Sequence, residues 1–410
     1  MNSDFDHKKL GKELDLFTFS DVVGKGLPLW TPKGAAIRRE IERFIVDEEI
    51  KRGYDHVYTP DIAKLDLYKK SGHYPYYKES MYSPIEIEDE EFMLRPMTCP
   101  HHFELFLDRP RSYRELPIRY AELAKLYRFE KSGELMGLQR VRSFCLADAH
   151  IICTKEQAGE EINQVLDLIE YVAQVFGLEK DKDYSYRLSL GDRKDDKKYF
   201  KDDSSWDHAE DVLRQVLKNR NSIFKEAEGE AAFYGPKIDI QMVNANGKED
   251  TAFTVQYDFV MPKRFNLEFV NEEGGKTECV VVHRSSVGAI ERIIAFLIEK
   301  YKGNFPTWLT PVQVKILPIS EKHLEYAKKI EGEIEKEGIR VEIDERSETL
   351  GNKIRNAQNE KVAYMLVLGD KEVENQTISI RKRNGENVNT PVLTDFITNL
   401  KSEIELKAIS

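Results

Sequence analysis

The tetrapeptide Tyr127-Arg128-Phe129-Glu130 sets an arginine and a carboxylate two residues apart. In an extended chain that spacing puts both side chains on one face. Arg140, Arg142 and Phe144 follow after a short loop. A guanidinium fork matches phosphate, a carboxylate accepts from an exocyclic amine, and an aromatic ring stacks on a base, so together these groups could hold a nucleotide. Arg292, in Gly288-Ala289-Ile290-Glu291-Arg292, lies on a helical pattern that is apolar along one side. It supplies the further cation that a triphosphate needs, because one guanidinium does not neutralise it. Taken singly, each is an ordinary surface charge or core aromatic, and the conjunction carries the reading.

Cys99, His150 and His283 are metal-binding types separated by long stretches, unlike a zinc finger. A catalytic zinc takes three protein ligands from different elements and keeps one position open, and these three suit that pattern. A buried thiol and hydrogen-bonded core histidines would read the same in sequence. The four cysteines are few and scattered, which argues against a disulfide framework and for a reducing, cytoplasmic setting. No run approaches the ~20 apolar residues needed to cross a bilayer, and the N-terminal residues do not resemble a signal peptide. A net charge of −11 disfavours nucleic-acid binding through the global field but leaves room for a local basic face.

Around these residues the periodicity predicts an amphipathic helix over 34–53, a strand over 54–59 that Pro60 stops, and strands over 91–95, 119–129 and 139–146. Helices over 155–176 and 207–219 follow, separated by a charge-dense stretch, 181–203, that reads as a solvated excursion without chemistry. Strands over 237–243, 253–259 and 278–283 precede a helix over 287–301. The order predicts an α+β domain, an antiparallel sheet flanked by helices, with no Rossmann or P-loop glycine signature. Prolines punctuate 304–311; beyond them strands and helices alternate as in a small α/β domain, so the expected domains are 1–305 and 306–410.

Read in order, the segments Arg95-Pro96-Met97-Thr98-Cys99-Pro100-His101-His102, Tyr127–Glu130 with Arg140–Phe144, Asp148-Ala149-His150, Phe233-Tyr234-Gly235-Pro236-Lys237, Val255-Gln256-Tyr257-Asp258-Phe259, His283-Arg284 and Glu291-Arg292 resemble the motif set of the threonyl-tRNA synthetases, a class II aminoacyl-tRNA ligase family. Lys353-Ile354-Arg355 and Gly369-Asp370-Lys371-Glu372 extend the resemblance towards the C-terminus. It implies an ATP site in which Arg128 meets the α-phosphate, Glu130 the adenine amine, Phe144 the adenine face, and Arg140 and Arg292 the outer phosphates. It implies zinc on Cys99, His150 and His283, threonine among Met97, Asp148, Tyr234, Lys237 and Gln256, and Mg²⁺ with the ATP. It further implies a homodimer through the Pro60 region and tRNA(Thr) contacts from Lys353, Arg355, Glu372, Arg381 and Arg383 in an anticodon-binding domain.

The pattern departs from the family at four places. Leu146 and Ala147 stand where Gln-Asp is usual, and Thr251-Ala252-Phe253 replaces a stretch with another glutamine. Ala289 replaces a serine, and His101 a glycine. His101 and His102 are read as pocket or core residues. The resemblance begins near Asp6, so no editing domain is expected ahead of the core.

Overall fold

The computed structural model describes residues 5–243, 247, 249–389 and 391–409. Among them, no helix is long and apolar enough to cross a membrane. They fall into two compact units, one gathering 19–28 and 42–295, the other 5–18, 29–41 and 296–409.

The larger unit is organised by an eight-stranded sheet in the order Phe224–Glu228, Tyr184–Leu190, Lys237–Val243, Glu249–Asp258, Val280–Ala289, Ser143–Cys153, Ile118–Tyr127 and Asp55–His56. The six inner strands pair antiparallel. Only the two edge pairings are parallel. Val280–Ala289 is buried almost throughout, as its β-branched run demands of a central strand. Helix Ala158–Val175 buries Ile162, Val165, Ile169 and Val172, the residues that share one helical face, and contacts the sheet strands Val280–Ala289 and Glu249–Asp258. A buried ion pair fixes a second helix: Arg284 Nη1 donates to Glu49 Oε1 at 2.5 Å, and Ser286 Oγ donates to the same oxygen at 2.8 Å.

Several boundaries differ from the sequence expectation, each for a physical reason. The stretch 181–203 is not a featureless excursion, because Tyr184–Leu190 is a strand within the sheet. Its Tyr-Ser-Tyr-Arg-Leu-Ser-Leu alternation buries Tyr184, Tyr186 and Leu188, a period-two signal hidden by charged flanks. Phe224–Glu228 is an exposed edge strand with too little apolar content to announce itself. The strand expected over 54–59 shrinks to Asp55–His56. Cys99 opens a helix, Cys99–Leu107, with proline in its first turn where a missing N–H costs nothing.

Two glycines shape what surrounds the sheet. A Cβ on Gly235 would stand 1.7 Å from the Tyr257 carbonyl oxygen, so only glycine lets this loop lie against the neighbouring strand. Gly288 has φ of +69°, and a Cβ there would meet Ala252 O at 2.3 Å. That left-handed residue turns Val280–Ala289 into helix Ile290–Tyr301, which therefore starts later than the expected 287.

The smaller unit carries a five-stranded sheet ordered Val341–Ile343, Val314–Pro318, Tyr364–Leu368, Ser379–Lys382 and Asn387–Val388. Its first three strands are parallel, and the last two add antiparallel. Val314, Ile316, Ile330, Leu366 and Phe396 form its core, so the alternation of strands and helices read from the sequence describes this unit well.

Candidate active site

A cavity of about 520 Å³ opens over the larger sheet. Strand Ser143–Cys153 sends Phe144, Leu146, Asp148 and His150 into it, every second residue along roughly 20 Å of chain. Charge and polarity change along that row, from an arginine-rich end to a metal-binding end.

At the arginine-rich end, Arg128 lies over the Phe144 ring at 5.2 Å, and its Nε donates to the Pro96 carbonyl at 3.3 Å. Strands Ile118–Tyr127 and Ser143–Cys153 pair up to Tyr127 and Ser143, and the Arg128 N–H then bonds the Arg142 carbonyl at 3.0 Å, which sets Arg128 and Phe144 side by side. Arg140 donates through Nε to Glu130 Oε2 at 2.8 Å. Arg292 reaches in from its helix, donating to the carbonyls of Thr251 at 2.8 Å and Gln139 at 3.3 Å. The helix is latched by Glu291 Oε2, which accepts from Cys145 N at 2.9 Å. Desolvation and the nearby Arg128 and Arg140 lower the Arg292 pKa; burial likewise lowers that of Arg128. Guanidiniums gathered so closely are a standing attraction for a polyanion.

At the far end, ligand atoms of Cys99, His150 and His283 all lie within 4.8 Å of one another. His150 and His283 are cross-strand partners, and Cys99 comes down from its helix. Each histidine has one nitrogen already engaged: His150 Nδ1 with His102 Nδ1 at 2.8 Å, and His283 Nε2 with Asp258 Oδ2 at 2.7 Å. The other nitrogen of each is left for a ligand, and outer partners of this kind are what orient metal-binding imidazoles. Burial pushes the Cys99 thiol well above its ordinary value, with Asp148 and Asp258 adding, and pulls His150 well below. A neutral imidazole is ready to bind, and a cation would offset the cost of the thiolate. The donor set therefore fits zinc with one open position towards the cavity.

Between the ends, the Tyr234 hydroxyl donates to Gln256 Oε1 at 2.6 Å, and its ring stacks on His283 with centroids 5.1 Å apart. Burial raises the Asp148 pKa. Met97 also lines the cavity, as do the departures Leu146, Thr251, Ala252 and Ala289. Leu146 faces Ala124 on one neighbouring strand and Ala289 on the other, an apolar rung across a polar floor.

Two expected contacts are not placed at a binding surface. Lys237 is outside the cavity lining and pairs with Asp239 Oδ2 at 3.0 Å, two residues along its own strand. Lys353 is buried, and its ammonium donates to the carbonyls of Pro318 and Asp344, both at 2.9 Å, so it fastens the smaller unit from within. Arg355 is exposed, Arg381 is half-buried, and Glu372 Oε2 accepts from Gly369 N at 2.9 Å as a helix cap. Arg383 Nη2 donates to the Phe305 carbonyl at 2.7 Å.

The sequence reading passed over His73 and Tyr77, which line the cavity with rings stacked 6.0 Å apart. The aromatic run His73-Tyr74-Pro75-Tyr76-Tyr77 was the available signal, and an isolated aromatic run reads equally as core. Glu122, too, gave no sign of its place among the cavity's supports.

Residues 82–301 match the tRNA synthetase class II core domain (G, H, P, S and T), and residues 313–403 match an anticodon binding domain. The chain belongs to the class II tRNA synthetase family. Within that family it is 52% identical over 399 residues to the threonine–tRNA ligase of Halalkalibacterium halodurans, covering 97% of this chain and 61% of that protein. It is 51% identical over 403 residues to the threonine–tRNA ligase of Geobacillus kaustophilus, at 98% and 61%. The chain thus spans about three-fifths of the length of these relatives. Among solved structures, the RNA binding domain of threonyl-tRNA synthetase from Cryptosporidium parvum superposes with a TM-score of 0.91 at 37% identity, covering 97% of this chain and 98% of that one. The putative threonyl-tRNA synthetase ThrRS-1 from Aeropyrum pernix does so at 0.86 and 30%, covering 98% and 97%.

Proposed function

We propose that this chain is the catalytic and anticodon-binding part of a threonine–tRNA ligase, dividing near residue 305 into a core and a tRNA-reading module. The observation that carries the reading is one cavity with an arginine-rich end at Arg128, Arg140 and Arg292 and a Cys99/His150/His283 trio at the other. ATP lies with its adenine against the Phe144 ring and its amine at Glu130, while Arg140 and Arg292 meet the outer phosphates alongside Mg²⁺. The threonine carboxylate attacks the α-phosphorus, pyrophosphate leaves, and the terminal ribose hydroxyl of tRNA(Thr) then takes the acyl group from the adenylate. Arg128 holds the α-phosphate in line for attack, so positioning and charge stabilisation carry the first step without a protein nucleophile.

When bound, zinc supplies a Lewis-acid position for the amino nitrogen and hydroxyl of the amino acid. Asp148 accepts from that hydroxyl, and Gln256, held by Tyr234, forms the adjoining wall. Valine has the shape of threonine without the hydroxyl and leaves these groups unpaired. The dimer reading is supported by Tyr58, 94% exposed beside Pro60, and by exposed Ile62, Ile85 and Ile87 on the small neighbouring sheet. In the smaller unit Arg355, Arg381 and Glu372 remain the candidate tRNA contacts. Substrates of this kind, with the few scattered cysteines, support the cytoplasmic reading.

ATP–pyrophosphate exchange with threonine, serine, valine and proline tests the reading. Exchange should depend on threonine and fail with proline and valine. Proline-dependent exchange would assign the chain to a sibling ligase, and exchange with none of the four would set the enzyme reading aside.

A further inference from the structure

The metal-binding trio is backed by a chain of hydrogen bonds that reaches across the sheet. Helix Cys99–Leu107 carries Cys99 and, one turn on, His102. His102 Nδ1 meets His150 Nδ1 at 2.8 Å, and His102 Nε2 meets Glu122 Oε2 at 3.3 Å. All three residues are almost wholly buried. Glu122 is held in turn: Oε2 accepts from the Thr59 hydroxyl at 2.7 Å, and Oε1 accepts from Thr59 N at 3.2 Å and Arg95 Nη1 at 3.0 Å. Arg95 Nη1 also donates to Thr59 Oγ1 at 2.7 Å, which directs the hydroxyl proton onto the carboxylate.

With one proton on each imidazole, these contacts leave one consistent placement of protons. The Glu122 carboxylate is acceptor only, so His102 carries its proton on Nε2 and presents a bare Nδ1. Of the two facing Nδ1 atoms one must donate, and that one is therefore on His150. With its proton on Nδ1, His150 keeps the Nε2 lone pair for a ligand. We infer that Glu122 and His102 are positioning residues that hold His150 in the one tautomer able to bind a metal, through Nε2. The inference rests on the zinc reading above and deepens it: one helix delivers a ligand, Cys99, and sets the proton of another.

Glu122→Gln separates this role from simple packing. Thr59 N–H and Arg95 N–H are fixed donors, so the Gln carbonyl must sit at the Oε1 position and its amide NH₂ at Oε2, facing His102. The His102 proton then moves to Nδ1 and is donated to His150 Nδ1, which leaves the His150 proton on the metal-binding nitrogen. Zinc affinity, measured by competition with a chelator on protein whose zinc-free melting is checked alongside, should fall roughly 10–100-fold. In a His102→Asn background the amide oxygen can accept from His150 directly, so zinc affinity should stay near the parent value and Glu122→Gln should add no further loss. His102→Leu, which offers no acceptor, should lose as much as Glu122→Gln. Parent affinity in Glu122→Gln, or an equal loss with and without His102, would overturn the inference while leaving the zinc site standing. If Glu122→Gln does not fold, equal affinities in His102→Asn and His102→Leu would overturn it. A parent protein that binds no zinc would overturn the metal reading itself.

Discussion

At the scale of single residues, the cavity combines groups prepared for anions with groups kept neutral by burial. Among the described residues, the hydrogen bonds of the Arg292 side chain go to backbone carbonyls at 2.8 and 3.3 Å, which aim it without cancelling its charge. Arg292→Ala should therefore lower kcat/KM for ATP in pyrophosphate exchange by about 10²–10³, the loss typical of one transition-state donor. Threonine binding by calorimetry should be little changed; an equal loss in both would place Arg292 in general folding. His73 behaves oppositely. Burial, with His283, Arg264 and Arg128 adding, depresses its pKa to about 3 from 6.5. Because the unfolded chain takes up that proton first, the neutral ring's contribution is complete above pH 6.5 and is lost as pH falls towards 3. His73→Phe should remove about one proton from the stability slope in that window, roughly 1.4 kcal/mol per pH unit. Urea unfolding at pH 4 and 7, in a Cys99→Ala background so that metal release does not contribute, reads the difference. Identical slopes would show that His73 titrates normally.

At the scale of elements, the site depends on where strands stop. Gly288 ends one strand in a left-handed turn and starts the helix that carries Arg292. Gly288→Ala should cost roughly 1–3 kcal/mol from the backbone conformation, with more from the close Ala252 carbonyl. Thermal melting reads that loss. Exchange by the folded fraction reads whether the helix is still aimed, and parent kinetics there would mean that the latch from Glu291 to Cys145 suffices by itself.

At the scale of the whole molecule, the proposed activity would discriminate by what the cavity can and cannot tell apart. Serine has the amino and hydroxyl groups of threonine and lacks one methyl, a difference worth only about 10–200-fold, whereas rejecting a substrate without the hydroxyl can reach ~10⁴ or more. The chain assayed by itself should activate serine within a few hundred-fold of threonine, reject valine far more strongly, and leave preformed Ser-tRNA uncleaved. Serine rejected as strongly as valine would show that the rung formed by Ala124, Leu146 and Ala289 reads the methyl group, and rapid enzyme-dependent deacylation of Ser-tRNA would show that the chain also clears the mischarged product.

The sequence by itself determined the long elements and the residue types at the site, because those follow from local periodicity and chemistry: the helix through Ile162 and Val172, the arginines around Phe144, and the thiol and imidazoles among which the family resemblance singles out Cys99, His150 and His283. The strand read over 139–146 stopped short of Asp148 and His150, which the structure puts on Ser143–Cys153. It could not show Tyr184–Leu190 as an inner strand, since a short alternating run between charged flanks becomes a strand only when partners lie on both sides. Tertiary structure alone decided three things. It buried Lys353 against two carbonyls and kept Lys237 on Asp239, although both had the composition of binding residues. It brought His73 and Tyr77 to the cavity on the short helix His73–Tyr76 and its cap, where the aromatic run reads equally as core. It also stacked Glu122, His102 and His150 from three separate elements into one hydrogen-bonded line. Proton placement along such a line is set by which donors and acceptors face each other across strands, and no spacing within one chain segment encodes that.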